Sequence, residues 1–258
     1  MRSRTLFSLF IGIALVVAII ARRSNTNADD LTAAGRGLRW LMHYPKAFAD
    51  PGILWAVDQI NRTYCGSADI NAFVSDRFRP FDSLPIERGY RRLIDPEQTI
   101  PIDNRTIQDR GTQHDALLLP ALYCDIVPLM SSTTVEMRDI DSASGYDLTH
   151  KFIALLFARQ NGCAIPGGVD APLGQAASRM VAEQTANHFD DLFAERTALL
   201  TYGGFRNRID PLWIDELRHA QLPSGAWMNP QFFAEPEDPH TTALAVWTLA
   251  QYANGCPH

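Results

Sequence analysis

Lysine is almost absent from this sequence, and several signatures of familiar enzyme classes are absent with it. Lys46 and Lys151 are the only lysines among 23 lysine and arginine residues, so Schiff-base chemistry has few possible carriers. The phosphate-binding patterns GxxxxGK[ST] and GxGxxG do not occur, nor does the GxSxG pattern of serine hydrolases. A net charge of −6 provides no basic footprint and predicts no nucleic-acid partner.

Cysteine is also scarce, with 4 residues in the chain and no CxxC pair. The wide spacing of Cys65, Cys124, Cys163 and Cys256 argues against a zinc ribbon or a thioredoxin-like motif. In an oxidising compartment an even number of cysteines permits two disulfides in alternative pairings. In a reducing compartment the same four residues would be buried thiols, and the spacing does not choose between the two states.

An uncharged, strongly apolar run, residues 5–21, lies between arginines on both sides. Its length is close to the minimum for crossing a bilayer. We therefore predict an uncleaved transmembrane signal-anchor at residues 1–23, with a cleaved signal peptide as the alternative. A linker at residues 24–30 would join the anchor to one domain, residues 31–258, in the periplasm, the secretory lumen or the extracellular space. The membrane would then be a partner of the protein.

The apolar spacing of the domain is helical throughout, and no stretch alternates apolar and polar residues as a half-buried strand does. Asp147, Asp210 and Asp238 are predicted helix caps, and Gly162 and Gly255 are predicted to follow helix ends. Residues 173–201 read as one long helical region, and residues 66–103 as a long irregular segment rich in proline. The predicted fold class is all-α.

Three stretches begin with histidine, continue with helical apolar spacing and end on cysteine. They are HDALLLPALYC from His114, HKFIALLFARQNGC from His150 and HTTALAVWTLAQYANGC from His240. Similar helices separated by helices of another character are typical of a ring of helical hairpins, because one hairpin cannot bury its own apolar face. We therefore predict an α/α-toroid, in which the inner helices run parallel and their N-termini meet at one end of a central cavity.

The three histidines would gather at that end of the cavity, together with Asp115. A histidine in the first turn of a helix faces the positive end of the helix dipole, which predicts a neutral imidazole at pH 7. Neutral imidazole can hold a divalent metal such as zinc or hydrogen-bond a ligand. Nearby Asp115, Asp147 and Asp238 could orient the rings, whereas the plainer alternative gives the histidines a purely structural role.

We predict that His114, Asp115, His150 and His240 bind a glycan, peptide or lipid in this cavity. The alternative is a metal- or carboxylate-dependent hydrolase or transferase, in which His114, His150 and His240 hold the metal or paired acids act on a glycosidic bond. Candidates for those acids are Asp115, Asp147, Glu195, Glu237 and Asp238. A third possibility is a structural domain that only binds a protein partner. The sequence assigns no catalytic residue and does not identify a partner.

The segment QLPSGAW resembles the QW motif, Q-x(2–5)-G-x-W, of terpenoid cyclases, with Gln221, Gly225 and Trp227 as the motif residues. The resemblance implies the α/α-toroid fold, which that family shares with prenyltransferases and complement thioester domains. It implies a structural role for the motif, in which the glutamine caps a helix end and the tryptophan stacks nearby. It implies no reaction, since the DxDD acid motif of the cyclases and the CGEQ motif of thioester domains are absent.

A second resemblance covers about the C-terminal half of the chain. The segments FAERTALLTYGGF, WIDELRHAQLPSGAW and HTTALAVWTLAQY are similar to an uncharacterised family of secreted proteins that includes a human chromosome 16 open-reading-frame product. This resemblance implies an extracytoplasmic domain and brings no reaction with it.

Overall fold

The computed structural model describes residues 28–44, 50–184, 188–230 and 237–257 of the chain. Across these ranges the protein is mostly helical and has almost no strand, which confirms the all-α class. The only sheet in these ranges is an antiparallel pair of short strands, β1 (Trp227–Met228) and β2 (Glu237–Asp238).

The predicted membrane anchor at residues 1–23 lies outside the described residues, as does most of the predicted linker. Among the helices that are described, none has both the length and the apolar character needed to cross a bilayer. The structure therefore gives no support to a membrane-spanning helix, and the prediction of one is corrected to that extent. Residues 28–30, predicted as linker, already belong to the first helix.

The helices follow one another with short connections. The α-helices are α1 (residues 28–43), α2 (Pro51–Ile60), α3 (Ala68–Phe78), α4 (Asn104–Arg110), α5 (Asp115–Leu122), α6 (Ser131–Arg138), α7 (Gly145–Gln160), α8 (Asp170–Glu183), α9 (Asp191–Tyr202), α10 (Pro211–His219) and α11 (Pro239–Ala253). A π-helical turn, Asn61–Cys65, continues α2, and 3-10 helices occupy Arg79–Ser83, Glu87–Leu93 and Arg206–Arg208.

Aspartate followed by proline starts three of these helices. The carboxylates of Asp50, Asp210 and Asp238 accept hydrogen bonds from backbone N–H groups in the first turns of α2, α10 and α11. Proline at the next position fits because its missing N–H would be unpaired there in any case. The predicted caps at Asp210 and Asp238 are confirmed.

One predicted helix cap is wrong, and one helix end, which Gly255 follows as predicted, differs in its conformation. Helix α7 begins at Gly145, so Asp147 lies inside the first turn, and its carboxylate lies 3.3 Å from Nζ of Lys151. After α11 the left-handed conformation belongs to Asn254 (φ 56°) and not to Gly255. Asparagine tolerates this conformation better than most residues with a Cβ. After α7, Gly162 adopts it as predicted, with φ 68°.

Two longer segments also differ from expectation. The region 173–201 contains α8 and α9 as separate helices, because Asp190 caps a new helix by accepting a hydrogen bond from Phe193 N at 2.7 Å. The segment 66–103 is not irregular throughout. Its helix α3 buries Ile70, Val74 and Phe78, which recur every fourth residue on one face.

Five of the helices form a closed series of neighbours around the middle of the molecule. Helix α11 packs against α2 and α9, and α7 packs against α9 and α5. The 3-10 helix Glu87–Leu93 packs against both α5 and α2 and completes the circuit. These five helices, α2, α5, α7, α9 and α11, are called the central helices below.

Both disulfides join the C-terminal ends of central helices. Cys65–Cys256 links the end of α2 to the end of α11, and Cys124–Cys163 links the ends of α5 and α7. This pairing leaves no free cysteine in the part of the chain that is described. The 39-residue separation of the second pair corresponds to about 4 kcal/mol of stabilisation in the chain-entropy treatment.

The QW-like segment connects α10 to α1. Gln221 Nε2 donates to the backbone oxygens of Ala33 and Gly225, each at 2.8 Å. Trp227 is completely buried, and its Nε1–H donates to Leu217 O at 2.7 Å. Gly225 has φ 99°, a conformation that side chains with a Cβ rarely adopt. In this protein the motif residues are therefore part of the packing.

Candidate functional site

A cavity of about 590 Å³ opens where the central helices begin. Along α9 its wall is made by Asp191, Glu195 and Leu199, which share one face of the helix. A rise of about 1.5 Å per residue separates the first and last of these by about 12 Å. The other central helices follow the same order, with polar residues at the start of the helix and apolar residues one or two turns further in. The mouth is therefore polar and the floor apolar.

Aromatic side chains dominate the floor. Trp55, Phe157 and Trp247 line the cavity, and Trp55 contacts the other two, with its ring centroid 5.0 Å from that of Trp247 and 5.4 Å from that of Phe157. The acidic groups belong to the wall and mouth. They are Asp50, Glu87, Asp115, Asp191, Glu195 and Asp238.

All four predicted ligand-binding residues line this cavity, namely His114, Asp115, His150 and His240. The rings of His114 and His150 stack with centroids 3.7 Å apart and planes 9° from parallel. Imidazole lone pairs lie in the ring plane, so two stacked rings do not direct them at one shared ion. The structure brings the predicted residues together, but it does not arrange the histidines as a metal triad.

His150 and His114 are neutral groups at pH 7. Burial, and then the neighbouring charge of His240, lowers the pKa of His150, although its Nδ1 lies 2.6 Å from Tyr146 O. Burial, and then His150, lowers the pKa of His114. The pKa values of both histidines are lowered, as predicted, but the main cause is burial and not the helix dipole. With the proton on Nδ1, His150 keeps Nε2 as an acceptor for a ligand.

His240 behaves in the opposite way. Its Nδ1 lies 2.9 Å from Asp191 Oδ1, and its Nε2 lies 3.6 Å from Asp50 Oδ2. Burial lowers its pKa, but Asp191, Asp50 and Glu195 together outweigh this and raise the pKa to about 10. The prediction of a neutral ring is wrong for His240, because the adjacent carboxylates act more strongly than the helix dipole.

Asp191 accepts hydrogen bonds from three side chains, including that of His240. Besides His240, its Oδ1 accepts a hydrogen bond from Thr241 Oγ1 at 2.6 Å, and its Oδ2 accepts one from Tyr146 OH at 2.8 Å. Burial raises the pKa of Asp191, but His240 and the three hydrogen bonds lower it below its ordinary value. The pair therefore exists as carboxylate and imidazolium at neutral pH.

Glu195 lies one helical turn deeper than Asp191 on the same face of α9. Its side chain is buried, with 4% exposure, and no hydrogen-bond partner within the described residues reaches Oε1. Burial raises the pKa of Glu195 to about 7, against the opposing effects of His240 and Thr149. The cavity wall thus contains a carboxyl group that is half protonated near neutral pH.

The remaining candidate acids have different surroundings. Asp115 accepts hydrogen bonds from Tyr90 OH at 2.5 Å and from Thr112 N and Oγ1 at 2.7 Å, and it does not orient a histidine ring. Asp238 caps α11 and also lines the cavity. Asp147 and Glu237 are not among the lining residues.

A metal site, if present, would use other ligands than the predicted three histidines. Within the described ranges, Asp191, Asp238 and His240 are the group whose ligand atoms all lie within 4.8 Å of one another. His240 Nδ1 is already bonded to Asp191, and Asp238 Oδ1 accepts from Thr241 N at 2.7 Å. A metal would require neutral His240, which its pKa of about 10 opposes. These three residues are therefore better suited to a hydrogen-bonded network than to the coordination of a metal ion.

Four contributors to the site escaped the sequence analysis, namely Asp50, Tyr90, Tyr146 and Asp191. The signal for two of them was present. Asp50 and Asp191 stand at helix starts, as Asp238 and the histidines do, and parallel helices bring such positions together. Tyr90 gave no comparable signal, because it belongs to a 3-10 helix outside any predicted element. Tyr146 lies in the first turn of α7, one residue before the position predicted as its cap.

Comparisons of the chain with protein-family models, with curated proteins and with solved structures find no match.

Proposed function

We propose that this protein is a carboxylate-dependent glycan hydrolase whose proton donor is Glu195. The observation that carries the proposal is a buried carboxyl group in the cavity wall, unpartnered at Oε1 within the described part of the chain. A native protein leaves few buried polar atoms unsatisfied, and a catalytic role is one explanation for such an atom. Among the described residues that have one, Glu195 is the residue that lines the cavity. An oxygen of a bound ligand would supply the missing partner.

The ionisation of Glu195 suits proton transfer. A general acid works best when its pKa is close to the working pH, because the protonated form is then abundant and still gives up its proton. Burial raises the pKa of Glu195 to about 7. In the same cavity Asp191 has a lowered pKa, and carboxyl groups whose environments separate their pKa values are typical of acid–base sites.

The proposed reaction is hydrolysis of a glycosidic bond. Glu195 donates its proton to the glycosidic oxygen as the bond from that oxygen to the anomeric carbon breaks. Water adds to the anomeric carbon and gives up a proton to Asp50, whose charge is among those that raise the pKa of Glu195. A second proton exchange between Asp50, water and Glu195 restores the starting state.

The ion pair of His240 and Asp191 would have a supporting role. Its imidazolium lowers the pKa of Glu195 against the effect of burial, so it stabilises the carboxylate that remains after proton transfer. The contact of Nδ1 with Asp191 fixes the ring, and Nε2–H remains available to donate to a ligand oxygen. We therefore regard His240 as a binding residue and Asp191 as a positioning residue.

The walls of the cavity favour a sugar over a lipid. The floor of Trp55, Phe157 and Trp247 offers aromatic surface to the apolar face of a pyranose ring. The mouth offers carboxylates and histidines as hydrogen-bond partners for hydroxyl groups. A lipid would leave these polar groups without partners, which is costly in a buried site.

The architecture is consistent with an α/α-toroid, in which the central helices form the inner ring. Support comes from the closed series of contacts among these helices and from their shared starting end. The QW-like segment, which resembles that of terpenoid cyclases, supports the same fold. Two disulfides are typical of proteins outside the cytoplasm, and we place the domain there, as the resemblance to a secreted family implies.

The test is a screen of the full-length protein with a panel of oligosaccharides and nitrophenyl glycosides, read by product release at about pH 6. Turnover should fall at least about a hundredfold in Glu195→Gln, while binding of the same substrate, followed by tryptophan fluorescence, is retained. Glu97→Gln, at an exposed glutamate outside the cavity, is the matched control and should keep full activity. Binding without turnover in the unsubstituted protein would refute the hydrolase and leave a glycan-binding module.

A further inference from the structure

The cavity is strongly acidic. Among the described residues, six carboxylic acids line it, and no lysine or arginine does. His114 and His150 are neutral, and His240 provides one positive charge. Even with Glu195 protonated, the carboxylates outnumber the cations of the lining by four.

From this charge balance we propose that the cavity selects sugars with a free, protonated amino group over their N-acetylated or hydroxylated equivalents. The proposal names the substrate class of the hydrolase proposed above and rests on that function. It concerns recognition, so it can hold or fail independently of the chemical step.

The helix dipoles offset part of the negative charge, since five central helices begin at the cavity. Each N-terminus contributes about half an elementary charge, which gives about two and a half in total. Several of these N–H groups are already capped by aspartates such as Asp50 and Asp238, so their effect on a ligand is smaller still. A net negative charge therefore remains in the cavity after this offset, and its electrostatic field attracts cations.

Two of the lining acids carry the negative charge that lacks a cation. Asp115 accepts hydrogen bonds from neutral donors within the described ranges, namely Tyr90 and Thr112. Glu87 also lines the cavity, and neither acid forms an ion pair within those ranges. Neutral donors satisfy the oxygens of Asp115 but leave its charge uncompensated, so an ammonium group is the complementary partner.

The aromatic lining adds to the preference. Tyr90 lies beside Asp115, and Trp55 and Trp247 form the floor. A cation over an aromatic face is attracted by the ring quadrupole, and the effect is larger where water is excluded. An acetyl group removes the charge and adds bulk, so it loses both contributions.

The test compares two probes of equal length, the glucosamine trimer and the N-acetylglucosamine trimer. Binding to the full chain is followed by fluorescence of the cavity tryptophans at about pH 6, where the sugar amine is protonated. We expect the amine form to bind at least about tenfold more tightly. We expect this advantage to shrink when salt is raised from about 20 mM to about 500 mM, because the attraction is electrostatic.

Two variants test the source of the preference. Asp50→Asn removes one cavity charge and keeps the helix cap, because asparagine caps as well as aspartate. Asp210→Asn is its matched control, an equivalent Asp-Pro cap outside the cavity. Asp50→Asn should weaken the glucosamine trimer about threefold to tenfold, and Asp210→Asn should leave its binding unchanged. Glu87→Gln removes a second cavity charge without touching a helix cap, and it should also weaken binding of the glucosamine trimer; unchanged binding in both cavity variants would overturn amine selection.

The outcomes separate this inference from the proposed function. Equal or tighter binding of the N-acetylated trimer, or no binding of either trimer, overturns amine selection. Cleavage of the N-acetylated trimer in that case would still support the hydrolase. Selective binding of the glucosamine trimer without cleavage supports amine selection and overturns the hydrolase.

Discussion

The contact between Asp191 and His240 is the most sensitive point of the site, and Asp191→Asn probes it with little change of shape. The carboxylate of Asp191 accepts from His240 Nδ1 at 2.9 Å, from Thr241 Oγ1 at 2.6 Å and from Tyr146 OH at 2.8 Å. An asparagine amide keeps one acceptor oxygen and presents a donor where the second oxygen was. At least one hydrogen bond is lost, and the imidazolium loses its closest counterion.

The magnitude follows from the burial of the pair. Asp191 is 4% exposed, and the side chain of His240 is 31% exposed, toward the cavity. Removing one partner of a buried ion pair costs about 3 to 5 kcal/mol. Because His240 retains Asp50 as a more distant neighbour, we expect the lower end, about 3 kcal/mol of unfolding free energy.

The loss should depend on pH in a defined way. The pKa of His240 is raised from 6.5 to about 10, so its stabilisation is complete below pH 6.5 and disappears as pH rises through 10. The pKa of Asp191 is lowered from 3.8, so its stabilisation is present above pH 3.8 and disappears on further acidification. The difference between wild type and variant should therefore be largest between these limits.

Urea unfolding at about pH 5 to 6 and again at about pH 10.5 measures the difference, and NMR titration of His240 measures its pKa directly. Asp190→Asn is the matched control, because Asp190 caps α9 and asparagine caps equally well. A loss in Asp191→Asn below about 1 kcal/mol at the lower pH, or an equal loss at both pH values, would refute the ion pair.

Two further predictions concern stability. Gly37→Ala should lower the unfolding free energy by about 1 to 3 kcal/mol, because a Cβ there would lie 2.5 Å from Val246 Cγ2. The control Gly174→Ala, in an open helical position, should be neutral or stabilising. Equal effects of the two substitutions in urea unfolding would contradict the close packing of α1 against α11 at Gly37. Glu195→Gln should become more stable relative to wild type as pH rises from 4.5 through 7, by up to about 3 kcal/mol, since the wild-type fold holds a proton that the unfolded chain releases. A pH-independent difference in urea unfolding would argue against the raised pKa of Glu195.

Part of the site could be predicted from the sequence because it depends on position along a helix. His114, His150 and His240 each lie in or next to the first turns of central helices, and such positions meet when helices run parallel around a cavity. The pairing of Asp191 with His240 could not be predicted in the same way. It depends on which helices become neighbours, across 49 residues of chain.

The errors in the fold have a similar origin. Helix α3 was missed because prolines and charges surround it, although Ser67 caps it and its apolar residues recur every fourth position. The predicted charge state of His240 is wrong because the helix dipole is a local effect, whereas the carboxylates that raise the pKa of His240, Asp50, Asp191 and Glu195, come from other helices. Local sequence patterns therefore predict the helices, whereas the charge states of the site residues depend on groups that packing brings together.

The two disulfides explain why three segments start with histidine and end with cysteine. The histidines stand at the starting ends of α5, α7 and α11, and the sulfur atoms at the opposite ends. The described part of the molecule is therefore cross-linked at the ends of the central helices opposite the cavity mouth, and neither disulfide lies at the entrance. There the helix starts are joined by non-covalent contacts such as those of Asp191 with Tyr146 and His240, so no covalent bond has to break for a ligand to enter or leave.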